Sequence, residues 1–556
     1  MKVLFFQNLI YKLWAHLFLW SIAIWSLLTR ASWDVNPHHD GVILAPAIAV
    51  SEGKTPNLDV FSQYGFLIPY LQSFWIRITS NTLYDLRVFT ALQVLLTVFI
   101  FCVTARKYIG SNLASLFGCA WLVSFPHLLP FLPWPSVTSS LLTVIGIWII
   151  SNCNSQGTKS LKLLYISFVI FFLAALIRPQ LFLALIPIVF CVLQHSTSGG
   201  NHALKSLATL ATFPAIVISF AAYHGELMPY LNQSIFWAGG NYLGIGFTTR
   251  GLIELSLIPV TAALIYSGIH LGTQLRNNYL FVSYWIFALT LGIALLFFYS
   301  WTYKYWPYLA FRHPEVLFAA LGWNWINAFS YFAFCWMLVN LLRKSKKYVL
   351  QPTFTISYEN LILIIAGVTV LQLYPASDPL HFWWLIPTFL LGAIVSSDNL
   401  ARIPKDIRYF YIPIIFFISI CLLNFTNDSN KDRIPYKSAV LNGMTGVPPE
   451  VKYIDDSISI IESIPDDSKL KFDCADGLFS VVNGVYRPID RNFVNWTSDY
   501  SESTRGYKYI FQCNISPETD LPKGYILIDQ VSVRDGEFGI YNGLVNRLVV
   551  LRGETT

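Results

Sequence analysis

Pro37-His38-His39-Asp40-Gly41 sets a carboxylate behind two imidazoles, a few residues after the first long apolar run. Such a group suits proton transfer or metal binding and does nothing to hold a helix in lipid. Asp34 and Asp59 lie in the same loop. Arg178 interrupts apolar sequence in Ile177-Arg178-Pro179-Gln180. Lys304, Arg312, His313 and Glu315 stand among Trp301, Tyr303, Tyr305, Trp306 and Tyr308, and Asp378 and His381 fall in Tyr374-Pro375-Ala376-Ser377-Asp378-Pro379-Leu380-His381. Ionisable groups at the ends of apolar runs are functional candidates, because burying them is costly unless they face a cavity. Two chemistries would use them. In one, a carboxylate deprotonates an acceptor hydroxyl while Arg or Lys neutralises a leaving phosphate. In the other, Asp and His relay protons or couple an ion to transport.

These residues need a scaffold. The chain has 556 residues, of which 55% are hydrophobic and 12% charged. Its mean hydropathy is +0.52. A soluble protein carries roughly 25% charged residues, so the expectation is a polytopic α-helical membrane protein. The net charge of +6 does not point to nucleic acid, because the basic residues cluster in short loops between apolar runs. Spans of about 20 residues are expected near 12–29, 85–105, 111–125, 136–150, 161–177, 181–195, 204–222, 252–271, 279–299, 316–342, 359–374, 380–397 and 409–425, about thirteen in all. Lys2/Lys12, Arg106-Lys107, Lys159/Lys162, Lys205, Arg276, the cluster at 343–347 and Arg402/Lys405/Arg408 then share one side. The positive-inside rule makes that side cytoplasmic, with an inside N-terminus. The first outer loop is 31–84. Its stretch 61–78 is aromatic but holds Gln63, Pro69, Gln72 and Arg77, so it reads as an interfacial helix. No convincing signal-peptide cleavage site follows the first run.

Residues 1–425 are thus expected to form the membrane domain and 426–556 a small extracytoplasmic α/β domain. In the latter, Leu470–Phe472, Tyr525–Ile528 and Leu548–Leu551 read as strands and Ser457–Ile464 as helix. Cys474 and Cys513 could pair if they face an oxidising compartment. No CxxC or Cys/His metal spacing appears.

His39-Asp40-Gly41, Ala49 to Gly53, Pro56, Asp59, Gln63-Tyr64-Gly65 and Leu67 resemble the first outer loop of GT-C type glycosyltransferases. The likeness is to the bacterial branch related to aminoarabinose and protein mannosyl transferases. Tyr374-Pro375-x-x-Asp378-x-x-His381 is similar to an element near the end of that membrane domain. The resemblance covers residues 10 to 425. It implies inverting transfer from a polyprenyl-phosphate sugar to a surface glycan, lipid or protein acceptor, at the periplasmic face of a bacterial inner membrane. The catalytic carboxylate maps onto Asp40, with His39 or Asp59 beside it. Gln63, Tyr64, Arg178, Lys304, Arg312, Asp378 and His381 become candidates for substrate binding. A second adjacent acid is missing, since the sequence reads His-His-Asp-Gly. Trp383-Trp384 is followed by Leu385 rather than Asp, which counts against whole-glycan transfer to protein.

Each residue also has a plainer reading. Asp40 would cap the helix leading into Val42, Arg178 would snorkel at a span end, and Asp378 and His381 would cap the helix near Leu380. No cofactor is implied; a divalent ion on Asp40 and Asp378 is an alternative, since carboxylates suit such ions. The other functional class is a proton-coupled transporter or flippase of lipid-linked glycans.

Overall fold

The computed structural model of this chain describes residues 2–62, 64–65, 67–80, 82–125, 131–153, 158–196, 200–233, 337–338, 340–341, 356–373, 379–396, 408–464, 470–473, 476–484, 508–532 and 545–552. Its helices are α1 (Lys2–Ala31), α2 (Pro37–Ser51), α3 (Leu67–Ile78), α4 (Leu83–Ile109), α5 (Ser111–Val123), α6 (Pro135–Ile150), α7 (Thr158–Ile177), α8 (Phe182–His195), α9 (Gly200–Tyr223) and α10 (Leu227–Tyr230). After these come α11 (Tyr358–Val368), α12 (Pro379–Ser396), α13 (Arg408–Ser429) and α14 (Pro448–Glu462). The expected spans 252–271 and 279–299, and most of 316–342, lie outside the described residues. Among the described residues, Leu83–Ile109, Ser160–Ile177 and His202–Tyr223 are long and apolar enough to cross a membrane. Shorter apolar helical stretches are Leu17–Ala31, Ser111–Val123, Pro135–Ile150, Pro179–His195, Tyr358–Gln372 and Trp383–Ser396.

Local chemistry sets the ends that matter for the site. Thr82 and Asp85 cap the start of α4 reciprocally, satisfying two otherwise orphaned N–H groups. Asn36 caps α2 by accepting from the His39 N–H at 2.9 Å, and Pro37 follows at the first helical position. This turn fixes the backbone of His38, His39 and Asp40. The first long loop holds two helices, α2 and α3, and α3 is shorter than the stretch 61–78. At 1.5 Å per residue its 12 residues span about 18 Å, too little to cross about 30 Å of hydrocarbon. It buries Ile68, Gln72 and Ile76 and exposes Leu71, Phe74 and Ile78.

Beyond α13 the chain forms a four-stranded sheet of β3 (Leu470–Asp473), β4 (Tyr509–Ile515), β5 (Tyr525–Ser532) and β6 (Val545–Leu551), in the order β3-β4-β6-β5. β3 and β4 run parallel and the other pairs antiparallel. A ribbon of β1 (Ile434–Pro435) and β2 (Thr445–Gly446) precedes it. The strand β4 is additional to the runs expected from sequence, and α14 starts nine residues earlier than the helix expected there. Cys513 on β4 is disulfide-bonded.

This C-terminal unit grips the first long loop. Thr445 exchanges backbone bonds with the loop: the Asp34 N–H donates to Thr445 O at 2.7 Å and the Thr445 N–H to Ser32 O at 2.8 Å. Arg433 pairs with Asp34 at 3.2 Å and lies over the Trp33 ring at 4.1 Å. Helix α2 is pressed against the 3-10 turn Gly477–Gly484, so closely that a Cβ on Gly41 would collide with the backbone of Gly477 and Leu478. Backbone cannot swing aside. Gly41→Ala is therefore expected to cost about 1–3 kcal/mol of overpacking strain and to loosen the C-terminal unit. Limited proteolysis and thermal unfolding in detergent would show it; an unchanged cleavage pattern and midpoint would refute it.

Glu450 supplies a second, pH-dependent link. Its Oε1 accepts from the Val35 N–H at 2.8 Å and the Tyr436 hydroxyl at 3.0 Å. Its buried Oε2 finds no partner among the described residues. Burial, and then the nearby Asp34 charge, push its carboxyl up to about 7 from an ordinary 4.5. The folded state thus holds the proton more tightly than the unfolded one. The stabilisation is complete below about 4.5 and is lost as pH rises through about 7. That gap is worth about 3 kcal/mol. Stability should fall across pH 4.5–7, and Glu450→Gln should flatten the slope; a variant with the parent's slope would exclude Glu450 as its source.

Candidate functional site

Asp40 is fully buried. Its Oδ2 accepts from Arg87 Nη2 at 2.6 Å and from the Asn36 N–H at 2.8 Å, and its Oδ1 accepts from Arg87 Nε at 3.3 Å. Burial pushes the carboxyl up from its ordinary value and Arg87 pulls it back, with a net upward shift. Arg87 is itself fully buried and donates to Trp33 O at 2.7 Å. One guanidinium on α4 thus fixes both the carboxylate on α2 and the backbone of the loop leading to it.

His39 carries the loop toward the helix bundle. Its ring meets Trp134 edge-on at 5.3 Å between centroids, and Tyr64 meets the same indole at 5.3 Å. Trp134 stacks on Trp384 at 5.7 Å. The Arg178 guanidinium lies 5.2 Å from the Tyr64 ring and 5.8 Å from the Trp384 ring, at cation–π distance. Arg178 Nε donates to Ser136 Oγ at 2.8 Å, and Nη2 donates to the same oxygen. Residues 39, 64, 134, 178 and 384 therefore share one end of the bundle.

The serines of α6 explain how. Ser136, Ser139 and Ser140 occupy i, i+3 and i+4, hence one helix face. Ser136 holds Arg178, Ser139 donates to Gln372 Oε1 at 3.2 Å, and Ser140 donates to Trp384 O at 2.7 Å. Helix α6 starts at Trp134 with no side-chain cap, so its positive end points into the cluster. The Trp134 indole N–H and the Gln372 amide nitrogen are buried donors without a partner among the described residues. Arg178, an uncapped helix start and two unused donors together make an anion-seeking site. Gly65, at φ +79°, allows Tyr64 its place: a Cβ there would strike Leu176 O.

No other candidate side chain is seen in this cluster among the described residues. Asp59 is exposed and closes a local turn, accepting from the Thr55 N–H at 2.8 Å. The backbone of His381 lies in the first turn of α12. Gln63, Lys304, Arg312 and Asp378 lie outside the described residues. Among the described residues no three His, Cys, Asp or Glu side chains gather to hold a metal ion.

Sequence reading passed over Arg87, Trp134, Ser136 and Gln372. The serine spacing in an otherwise apolar helix was a usable signal. So was an arginine near the start of an apolar span, which demands a buried partner.

The chain matches no protein family model and no curated protein. It is similar to solved structures of ArnT from Cupriavidus metallidurans. One, bound to undecaprenyl phosphate, has 11% identity and a TM-score of 0.43, covering 96% of this chain and 97% of that one. The apo state gives 11% identity and 0.39, covering 86% of each. It is also similar to the Archaeoglobus fulgidus oligosaccharyltransferase in complex with Zn and sulfate, at 11% identity and 0.40, covering 76% of this chain and 51% of that one. The chain thus spans about half the length of that oligosaccharyltransferase. These neighbours are GT-C glycosyltransferases, the family the first long loop resembles. At such scores the likeness adds no weight to the geometry.

Proposed function

We propose that this chain is an integral membrane, inverting glycosyltransferase that moves a sugar from a polyprenyl-phosphate donor to a glycan, lipid or protein acceptor at the extracytoplasmic face. The observation that carries this reading is the anion-seeking cluster of Arg178, the α6 start and the unused Trp134 and Gln372 donors. His39, the residue before Asp40, packs on Trp134 of this cluster. The lipid phosphate binds at Arg178, with Lys304, Arg312 and Gln63 as further contacts from outside the described residues. Tyr64, Trp134 and Trp384 wall the sugar. Asp40 takes the proton of the acceptor hydroxyl. The freed oxygen attacks the anomeric carbon, the bond from that carbon to the phosphate oxygen breaks, and the phosphate leaves with its charge neutralised by Arg178. A single displacement inverts the anomeric centre.

Burial raises the affinity of Asp40 for a proton, which suits a base, while Arg87 holds the carboxylate in place. Asp40 touches no solvent, so an acceptor hydroxyl reaches it only where the contacts of Arg87 and Asn36 to its carboxylate give way. Asp378 and His381 are our candidates for the acceptor side, whereas Asp59 is engaged in its own turn. The residues described do not fit a metal centre, because both Asp40 oxygens are already engaged by Arg87 and Asn36. No step is routed through one.

The transporter reading needs titratable groups inside the spans. Among the described residues, the buried charged side chains Arg30, Arg87 and Arg178 instead sit near helix ends. The deciding experiment is transfer of label from a radiolabelled polyprenyl-phosphate sugar in membranes carrying the chain. Label that stays on the polyprenyl phosphate, but crosses the membrane, would support the transporter.

A further inference from the structure

We propose that Asp476, from the C-terminal unit, is a positioning residue of the donor site, holding His38 and through it His39 and Trp134. The inference rests on the reading of the Trp134–Arg178 cluster as that site. Asp476 is 4% exposed and immediately precedes the turn Gly477–Gly484. That turn is fixed, because Gly41 of α2 meets its backbone with no room for a Cβ. The contact places the Asp476 carboxylate 3.7 Å from His38 Nδ1. The His38 ring meets the His39 ring edge-on at 5.0 Å, and the His39 ring meets Trp134 at 5.3 Å. Carboxylate, two imidazoles and an indole thus form a continuous line into the cluster around Arg178.

At 3.7 Å the Asp476 carboxylate is an electrostatic neighbour of the His38 ring and biases its orientation. Here the ring so held is the neighbour against which His39 rests. The Trp134 N–H is an unused buried donor, so its direction depends on His39 on one side and Trp384 on the other. The C-terminal unit is then part of the binding site, not only a cover over the bundle.

The test measures undecaprenyl phosphate affinity of the full chain in nanodiscs, by quenching of tryptophan fluorescence. Asp476→Asn and His38→Gln should each weaken binding about tenfold. The double variant should be no worse than the weaker single, since the two act as one unit. Asp476→Glu should recover most of the loss, which a merely structural defect would not. Thermal midpoints are read alongside. Parental affinity in Asp476→Asn, or fully additive losses in the double variant, would overturn the proposal. Arg178→Gln is the parallel control. If it loses binding while Asp476→Asn keeps it, only this inference fails. If Arg178→Gln binds like the parent, the site reading fails and takes the proposal with it.

Discussion

Replacing Arg87 by methionine is expected to destabilise the chain by about 3–5 kcal/mol, because it strands a fully buried carboxylate. Arg87 meets Asp40 through two nitrogens and also holds Trp33 O. No other cation meets Asp40 among the described residues, so water or a proton must answer the lost charge. Asp40→Asn alone should also destabilise, by leaving the guanidinium buried. The informative variant combines Asp40→Leu with Arg87→Met. Apolar pairs of similar volume often match or exceed buried ion pairs in stability, so this double variant should recover much of the midpoint lost by Arg87→Met. It should nevertheless transfer no sugar. Thermal unfolding and label transfer, compared at equal folded fraction, separate the two roles. A double variant as unstable as Arg87→Met would show that the pair is not the source of the loss. A double variant that still transfers sugar would remove Asp40 from catalysis.

Arg178→Gln is expected to weaken undecaprenyl phosphate binding by about 10- to 100-fold, the size of one hydrogen bond to a charged group. The side chain is 7% exposed, gripped by Ser136 and flanked by Tyr64 and Trp384. Little rotamer freedom is left to lose when a phosphate arrives. Arg178→Lys should recover only part of the affinity, because an ammonium cannot use Ser136 and two phosphate oxygens with one planar fork. Ser136→Ala should fall between, since Arg178 stays but loses its anchor. Titration by fluorescence quenching would give all three. Equal affinity in parent and Arg178→Gln would end the claim that this guanidinium receives the phosphate.

Apolar run length located the start of most described apolar helices within a few residues, although three of them are long and apolar enough to cross a membrane. The pairing of those helices was less visible. Asp40 and Arg178 were legible as charges in costly places, yet Arg87 was passed over inside its apolar run. Nothing local says that a residue 47 positions away is its partner. Trp384 was weighed only for the acid that does not follow it, whereas its ring forms a wall beside Arg178. Trp134 resembled any interfacial tryptophan until His39 and Tyr64 were seen on it. Strand β4, with its Gln512 and Asn514, lacks a clean alternating pattern. It owes its place to β3 on one side and β6 on the other, a non-local cause that periodicity cannot register.

The contact between α2 and the C-terminal unit also imposes a timetable on biogenesis. The Val35 N–H waits for Glu450, which emerges 415 residues later. At about 5–20 residues per second this is a delay of roughly 20 to 80 s. During that time α2, buried along most of its length in the finished chain, has no lid. A chain that ends before the turn Gly477–Gly484 would leave the face of α2 around Gly41 uncovered.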